Sequence, residues 1–148
     1  MGNSSYSLIS ETIETGSVYY YEEKELSSSE PHYFIVLNIN PRSEGTLILA
    51  CVSSKVKKRK RIAKSLGFPG RTLVVVSPSE YPIFDTESVI DCNRTFERTI
   101  QSLADKLEKK QLKICKILMP KEIVQKLISG TLASNQTSEG VRKILLGI

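Results

Sequence analysis

Two apolar runs, YFIVLN (residues 33–38) and TLILACV (residues 46–52), flank the polar stretch NPRSEG (residues 40–45), and their reading decides the fold. Both runs are continuous rather than alternating, which implies strands covered on both faces or nearly so. The stretch between them has turn composition, with Asn, Pro, Ser and Gly, so the runs are expected to form a hairpin. Upstream, GSVYYY (residues 16–21) is a short β-prone run opened by glycine and reads as the preceding strand. Downstream, RTLVVV (residues 71–76), SVIDC (residues 88–92) and LKICKIL (residues 112–118) read as further short strands.

Between these strands the character changes. Residues 22–30 are acidic and serine-rich and are expected to form a mobile loop. Residues 55–64 lack Gly and Pro until GFPG (residues 67–70), so a helix is expected there. From Thr95 the apolar residues Phe96, Ile100, Leu103 and Leu107 fall at helical spacing. Pro120 suits the start of another helix, with Ile123, Val124, Leu127 and Ile128 on one face and Gly130 as its expected end. A last helix is expected over residues 138–146, with Val141, Ile144 and Leu145 on one face. The order, five to seven short strands followed mainly by helices in the C-terminal third, is that of an α+β domain. A small barrel is the natural closure for so many short strands, because it removes exposed edges.

The chain has 148 residues, enough for one domain with one core. Residues 1–15 read as a flexible N-terminal extension, 16–132 as the barrel with its helices, and 133–148 as the C-terminal helix. No apolar run is long enough to cross a bilayer, and the N-terminus lacks a cationic stretch followed by an apolar one. A cytoplasmic protein without membrane contact is therefore expected. The three cysteines, Cys51, Cys92 and Cys115, are far apart, form no CxxC pair, and share the chain with one histidine, His32. Buried thiols on strands, with neither metal nor cofactor, are the expectation.

Net charge is +5, and its distribution is uneven. Glu11, Glu14, Glu22, Glu23, Glu25 and Glu30 stand against Lys24 in the first thirty residues. Lys55, Lys57, Lys58, Arg59, Lys60, Arg61, Lys64 and Arg71 then follow with no acid among them. Two readings of that run stand side by side: a solvated face, or a surface for a polyanion such as nucleic acid. Ser53 and Ser54 end a strand just before it, where hydroxyls either cap a turn or meet a phosphate. Asp91 lies three residues before Arg94, either as a structural ion pair or as an acid/base group beside a charge-stabilising guanidinium. The chain lacks a P-loop, a GxSxG and a zinc signature.

The order of these features resembles the MazF/PemK family of toxin endoribonucleases, across about residues 16–132. Gly16-Ser17-Val18-Tyr19 resembles the Gly-Asp-x-Tyr opening of the family's first strand. PHYFIVLN (residues 31–38) resembles its Arg-Pro-plus-apolar strand, and Val52-Ser53-Ser54 the Thr-Ser or Thr-Ala end of the next. VIDCNRTFE (residues 89–97) resembles the segment apolar-x-Asp/Glu-Gln-x-Arg-Thr-x-Asp and is the most specific of these matches. Three departures accompany them. Ser17 stands for the usual acid, Pro31-His32 stands where a catalytic arginine precedes proline, and residues 97–110 look like an inserted helix.

The resemblance implies an SH3-like small barrel, a homodimer, and an antitoxin that occupies the RNA groove. It implies metal-independent cleavage of single-stranded RNA by attack of the ribose 2′-OH on the adjacent phosphate. Asp91 would be acid or base, Arg94 the charge stabiliser, Ser53 a phosphate contact, and His32 the other titratable group. Ser54, Lys55, Lys57, Lys58, Arg59, Lys60 and Arg61 would hold the RNA. The alternatives are a non-catalytic nucleic-acid-binding barrel and a protein-interaction module.

Overall fold

Asn38 closes the hairpin that the two apolar runs announce. Its side chain is fully buried, donates to Thr46 O at 2.8 Å and accepts from Ile48 N–H at 2.6 Å. The computed structural model describes residues 2–148. In it the hairpin strands are β2 (His32–Val36) and β3 (Leu47–Ser53), paired antiparallel with Phe34 opposite Cys51 and Val36 opposite Leu49. β1 (Val18–Tyr21) lies on the other side of β2. Gly16 leads into it at φ +92°, where a Cβ would come within 3.1 Å of Met119 O, so glycine suits both the backbone and the close approach.

The remaining strands are β4 (Leu73–Val76), β5 (Ser88–Arg98) and β6 (Leu112–Ile114). Together they make one antiparallel sheet in the order β4-β5-β3-β2-β1-β6. The sheet is open: β4 and β6 are its two edges and do not pair with each other, so the closure expected of a barrel is not made. Among the described residues five helices accompany it: α1 (Gly2–Thr12), α2 (Val56–Ser65), α3 (Ile100–Glu108), α4 (Lys121–Ala133) and α5 (Glu139–Leu146). A 3-10 turn, Gly70–Thr72, leads into β4. The chain is α+β, and among the described residues no helix is long and apolar enough to cross a membrane.

Side chains alternate across the sheet, and each face has its own core. Val18, Ile35, Ile48, Ala50 and Ile90 pack with Ile123, Val124 and Leu127 of α4 and with Val141 and Leu145 of α5. Tyr19, Tyr21, Phe34, Leu49 and Phe96 pack on the other face with Ile9 and Ile13 and with Ile100, Leu103 and Ala104 of α3. This double cover is why both hairpin strands read as continuous apolar runs. Each fully buried Ile, Leu, Val or Phe contributes about 1.5–3 kcal/mol, and the hairpin at the sheet's centre supplies Phe34, Ile35, Val36, Leu47, Ile48 and Leu49 to that burial.

Four local readings of the sequence are corrected. Residues 2–12, expected to extend from the domain, form α1, which buries Ile9 against the domain and donates from Ser5 Oγ to Glu108 at 2.7 Å. The helix expected from Thr95 begins only at Ile100. Phe96 is a strand residue opposite Leu49, and Thr99 and Ser102 form a reciprocal capping box that marks the true start. The last strand stops at Ile114 instead of continuing to Leu118. Gly130 does not end α4 but sits inside it, facing Arg71 O and Cys92.

Candidate active site

β3 and β5 fall out of step at one point, and the candidate site residues cluster there. Ala50 pairs with Thr95 and Val52 with Ile90, so β5 advances five residues while β3 advances two. The excess is taken up by residues 91–94, which bulge from the ladder opposite Cys51. Bulges re-aim side chains, and this one turns Asp91 and Arg94 toward the end of the sheet where β2 begins and β3 ends.

Four side chains named from the sequence line one small cleft there: His32 from β2, Ser53 from β3, and Asp91 and Arg94 from β5. Leu26, Cys51, Arg59 and Phe96 complete its walls, and its volume is about 50 Å³. A second, wider cleft of about 310 Å³ adjoins it. His32, Ser53 and Arg59 line both.

Each group is held in a defined way. Asp91 Oδ1 accepts from Asn93 N–H and from Asn93 Nδ2, both at 2.9 Å. Asn93 is fixed in turn, donating to Thr72 Oγ1 at 2.8 Å and accepting from Ser134 Oγ at 2.7 Å. Among the described residues nothing donates to Asp91 Oδ2. The His32 ring lies 2.9 Å through Nδ1 from Glu30 O. A carbonyl only accepts, so Nδ1 carries the proton and Nε2 is the nitrogen left for other partners. Ser53 Oγ accepts from Lys55 N–H at 3.2 Å as the chain turns into α2.

Arg94 is exposed; its guanidinium lies 5.0 Å from the Phe96 ring centroid and donates to Glu25 O at 3.1 Å. Arg98 pairs with Glu23 at 2.8 Å and also with Glu25. The acidic loop expected to be mobile is thus tied at three points to β5. Leu26 comes to the cleft because of these ties. Cys51 forms an apolar wall: burial pushes its thiol up to about 12 despite the nearby Arg94 and Arg59 guanidiniums, so it stays protonated.

Helix α2 divides the basic run. Lys55, Lys58 and Arg59 are spaced to share one side, and with Ser54 they line the wider cleft. Lys57, Lys60 and Arg61, expected to contact RNA, line neither cleft. Sequence reasoning did not single out Asn93, Leu26, Tyr20 or Tyr33 for the site. For Asn93 the available signal was a side-chain amide two residues after a carboxylate, the spacing of a local hydrogen-bonded turn.

The arrangement supplies a carboxylate with one open oxygen, an imidazole with one open nitrogen, two guanidiniums and a hydroxyl. That set suits proton transfer beside a phosphate. No family model matches this chain, and no curated protein matches it.

Proposed function

We propose that the chain is a metal-independent endoribonuclease that cleaves single-stranded RNA by 2′-OH transesterification, as its resemblance to the MazF/PemK toxins implies. One observation carries the reading: His32, Ser53, Asp91 and Arg94, drawn from three strands, line a single cleft beside the basic helix.

In this reading Asp91, an acceptor while ionised, takes the proton of the ribose 2′-OH through its open Oδ2. O2′ attacks the adjacent phosphorus, the P–O5′ bond breaks, and the departing 5′ oxygen takes a proton from Nε2 of the His32 imidazolium. The products are a 2′,3′-cyclic phosphate and a 5′-hydroxyl, and proton exchange with solvent resets the pair. Arg94 and Arg59 offset the charge that builds on the phosphorane oxygens, and Ser53 Oγ donates to one of them. His32 fills the part of the arginine that the family carries at the equivalent turn.

The same reading carries a homodimer and a protein antitoxin over the RNA groove, built on an open sheet rather than on the closed barrel that the family implies. The exposed cations of α2 suit an acidic antitoxin segment as well as they suit RNA.

The test is cleavage of mixed-sequence single-stranded RNA in EDTA by wild type, His32→Ala and Asp91→Asn. Wild-type cutting that leaves cyclic phosphate ends, reduced at least a hundredfold in both variants, is the expected result. A requirement for magnesium, or variants as active as wild type, would overturn the proposal. Nucleic-acid binding without cleavage is the second reading, favoured by the contact between Arg94 and Glu25 O and by Leu26 in the cleft wall. It predicts salt-sensitive RNA binding that Asp91→Asn leaves unchanged.

A further inference from the structure

The wider cleft has a wall that the cleavage chemistry does not use. Phe84, Tyr33 and Tyr20 form a row of three rings, with centroids 5.2 Å apart for the first pair and 4.4 Å for the second. Phe84 is buried, Tyr33 and Tyr20 are half-buried, and all three line the cleft. Tyr20 ends the row. Lys55, at the N-cap of α2, and Lys58 and Arg59 within it line the same cleft. His32, next to Tyr33 in sequence, belongs to both clefts, so an aromatic surface and a cationic one converge beside the reacting groups.

Aromatic rings beside cations fit one class of ligand well: a nucleotide whose base is free to leave its neighbours. Bases in a duplex are stacked on one another, whereas a single strand can turn one out onto an aromatic side chain. The volume of about 310 Å³ is at the lower end of the range for small-ligand sites, on the order of 300–1,000 Å³. It suits one nucleotide rather than a helix.

We infer that this cleft is a nucleobase subsite: one unstacked base of single-stranded RNA extends the ring row at Tyr20 and Tyr33, while Lys55, Lys58 and Arg59 hold its phosphate. The inference rests on the RNA-cleaving reading and adds to it where the strand lies. The strand's next phosphate then enters the small cleft between His32 and Asp91. Selection for unpaired RNA follows from the need to swing a base out of the strand.

The test uses short 2′-O-methyl oligoribonucleotides, which cannot be cleaved, with a single abasic nucleotide stepped along the sequence. Binding is read by fluorescence anisotropy for wild type, Tyr20→Leu and Tyr33→Leu. At one position the abasic change weakens wild-type binding about tenfold, and in Tyr20→Leu the same change costs less than about twofold. A 2-aminopurine at that position is quenched on binding to wild type and markedly less so on binding to Tyr20→Leu. Tyr33 is in the middle of the row, where its ring also supports its neighbours, so Tyr20→Leu and the wild-type quenching decide the matter. A flat abasic scan, or a penalty undiminished in a folded Tyr20→Leu, overturns the subsite. If wild type still cleaves RNA in that case, only the subsite falls; if wild type binds no single-stranded RNA, both readings fall.

Discussion

Asn93 holds Asp91 with two hydrogen bonds to one oxygen, its backbone N–H and its side-chain Nδ2 each reaching Oδ1 at 2.9 Å. The same amide is pinned by Thr72 and Ser134, so the aim of a strand carboxylate is set from the 3-10 turn and from the end of α4. Asn93→Ala removes these side-chain bonds and leaves part-buried hydroxyls with one partner fewer. Stability is expected to fall by about 1–3 kcal/mol in urea melts. Under the proposed cleavage reaction, at a temperature where the variant is folded, kcat should drop at least tenfold with RNA affinity within about twofold of wild type. A variant that loses affinity and leaves kcat untouched would mean that Asn93 serves only to shape the surface.

The division of α2 into two sides has a measurable consequence. Replacing Lys55, Lys58 and Arg59 by Gln removes the cations that line the cleft. The slope of log affinity against log salt should flatten by about 2, since each single-strand phosphate that a cation neutralises adds roughly 0.7 to it. Replacing Lys57, Lys60 and Arg61, which line neither cleft, removes the same formal charge and should flatten it by less than half as much. Equal slopes for the two triple variants would show that the helix acts as a diffuse charge rather than through a face.

The hairpin was legible because both faces of β2 and β3 are covered, which leaves unbroken apolar runs around a turn-rich gap. The basic helix was legible from the absence of Gly and Pro over ten residues. Phe96 misled because it stands four residues before Ile100, a spacing helices and chance share; the Thr99–Ser102 cap pair was the better signal. Helix α1 left little trace, since its core contribution is Ile9, with Ile13 just beyond its end. His32, Ser53, Asp91 and Arg94 were legible through a resemblance, whereas the register shift that gathers them appears only once strands are paired. Arg59 was indistinguishable from its neighbours without the helix phase. Ala63, one turn later and buried, is the residue that sets that phase.

Glu23 makes the loop's attachment depend on pH. Burial pushes its carboxyl up, but hydrogen bonds from Arg98 and the Glu25 N–H, with the charges of Arg98 and Lys106, outweigh that and hold it below the ordinary glutamate range. A carboxyl with a lowered folded value stabilises above its unfolded value, about 4.3, and that contribution is lost as pH falls through the folded value. Glu23→Gln is therefore expected to destabilise the protein by about 1–2 kcal/mol at pH 7, since Arg98 keeps Glu25 as a partner. The gap in Tm between wild type and variant should close as pH is lowered from 5 toward 3. A gap that stays constant over that range would assign the loss to packing instead of charge.

Gly130 offers the sharpest check on how α4 meets the bulge. Alanine in a helix interior ordinarily gains about 0.5–1 kcal/mol over glycine. Here an added Cβ would stand 2.6 Å from Arg71 O and 3.0 Å from Cys92 Sγ, and a backbone oxygen and a buried strand residue have little room to yield. Overpacking of this kind costs about 1–3 kcal/mol, so the steric term outweighs the propensity gain and Gly130→Ala should destabilise by about 1–2 kcal/mol. The displaced group is Cys92, the neighbour of both Asp91 and Asn93, so the proposed RNA cleavage should weaken together with stability. Urea melts and single-turnover cleavage on the same preparation check both, and a variant more stable than wild type would show that α4 shifts freely over β5.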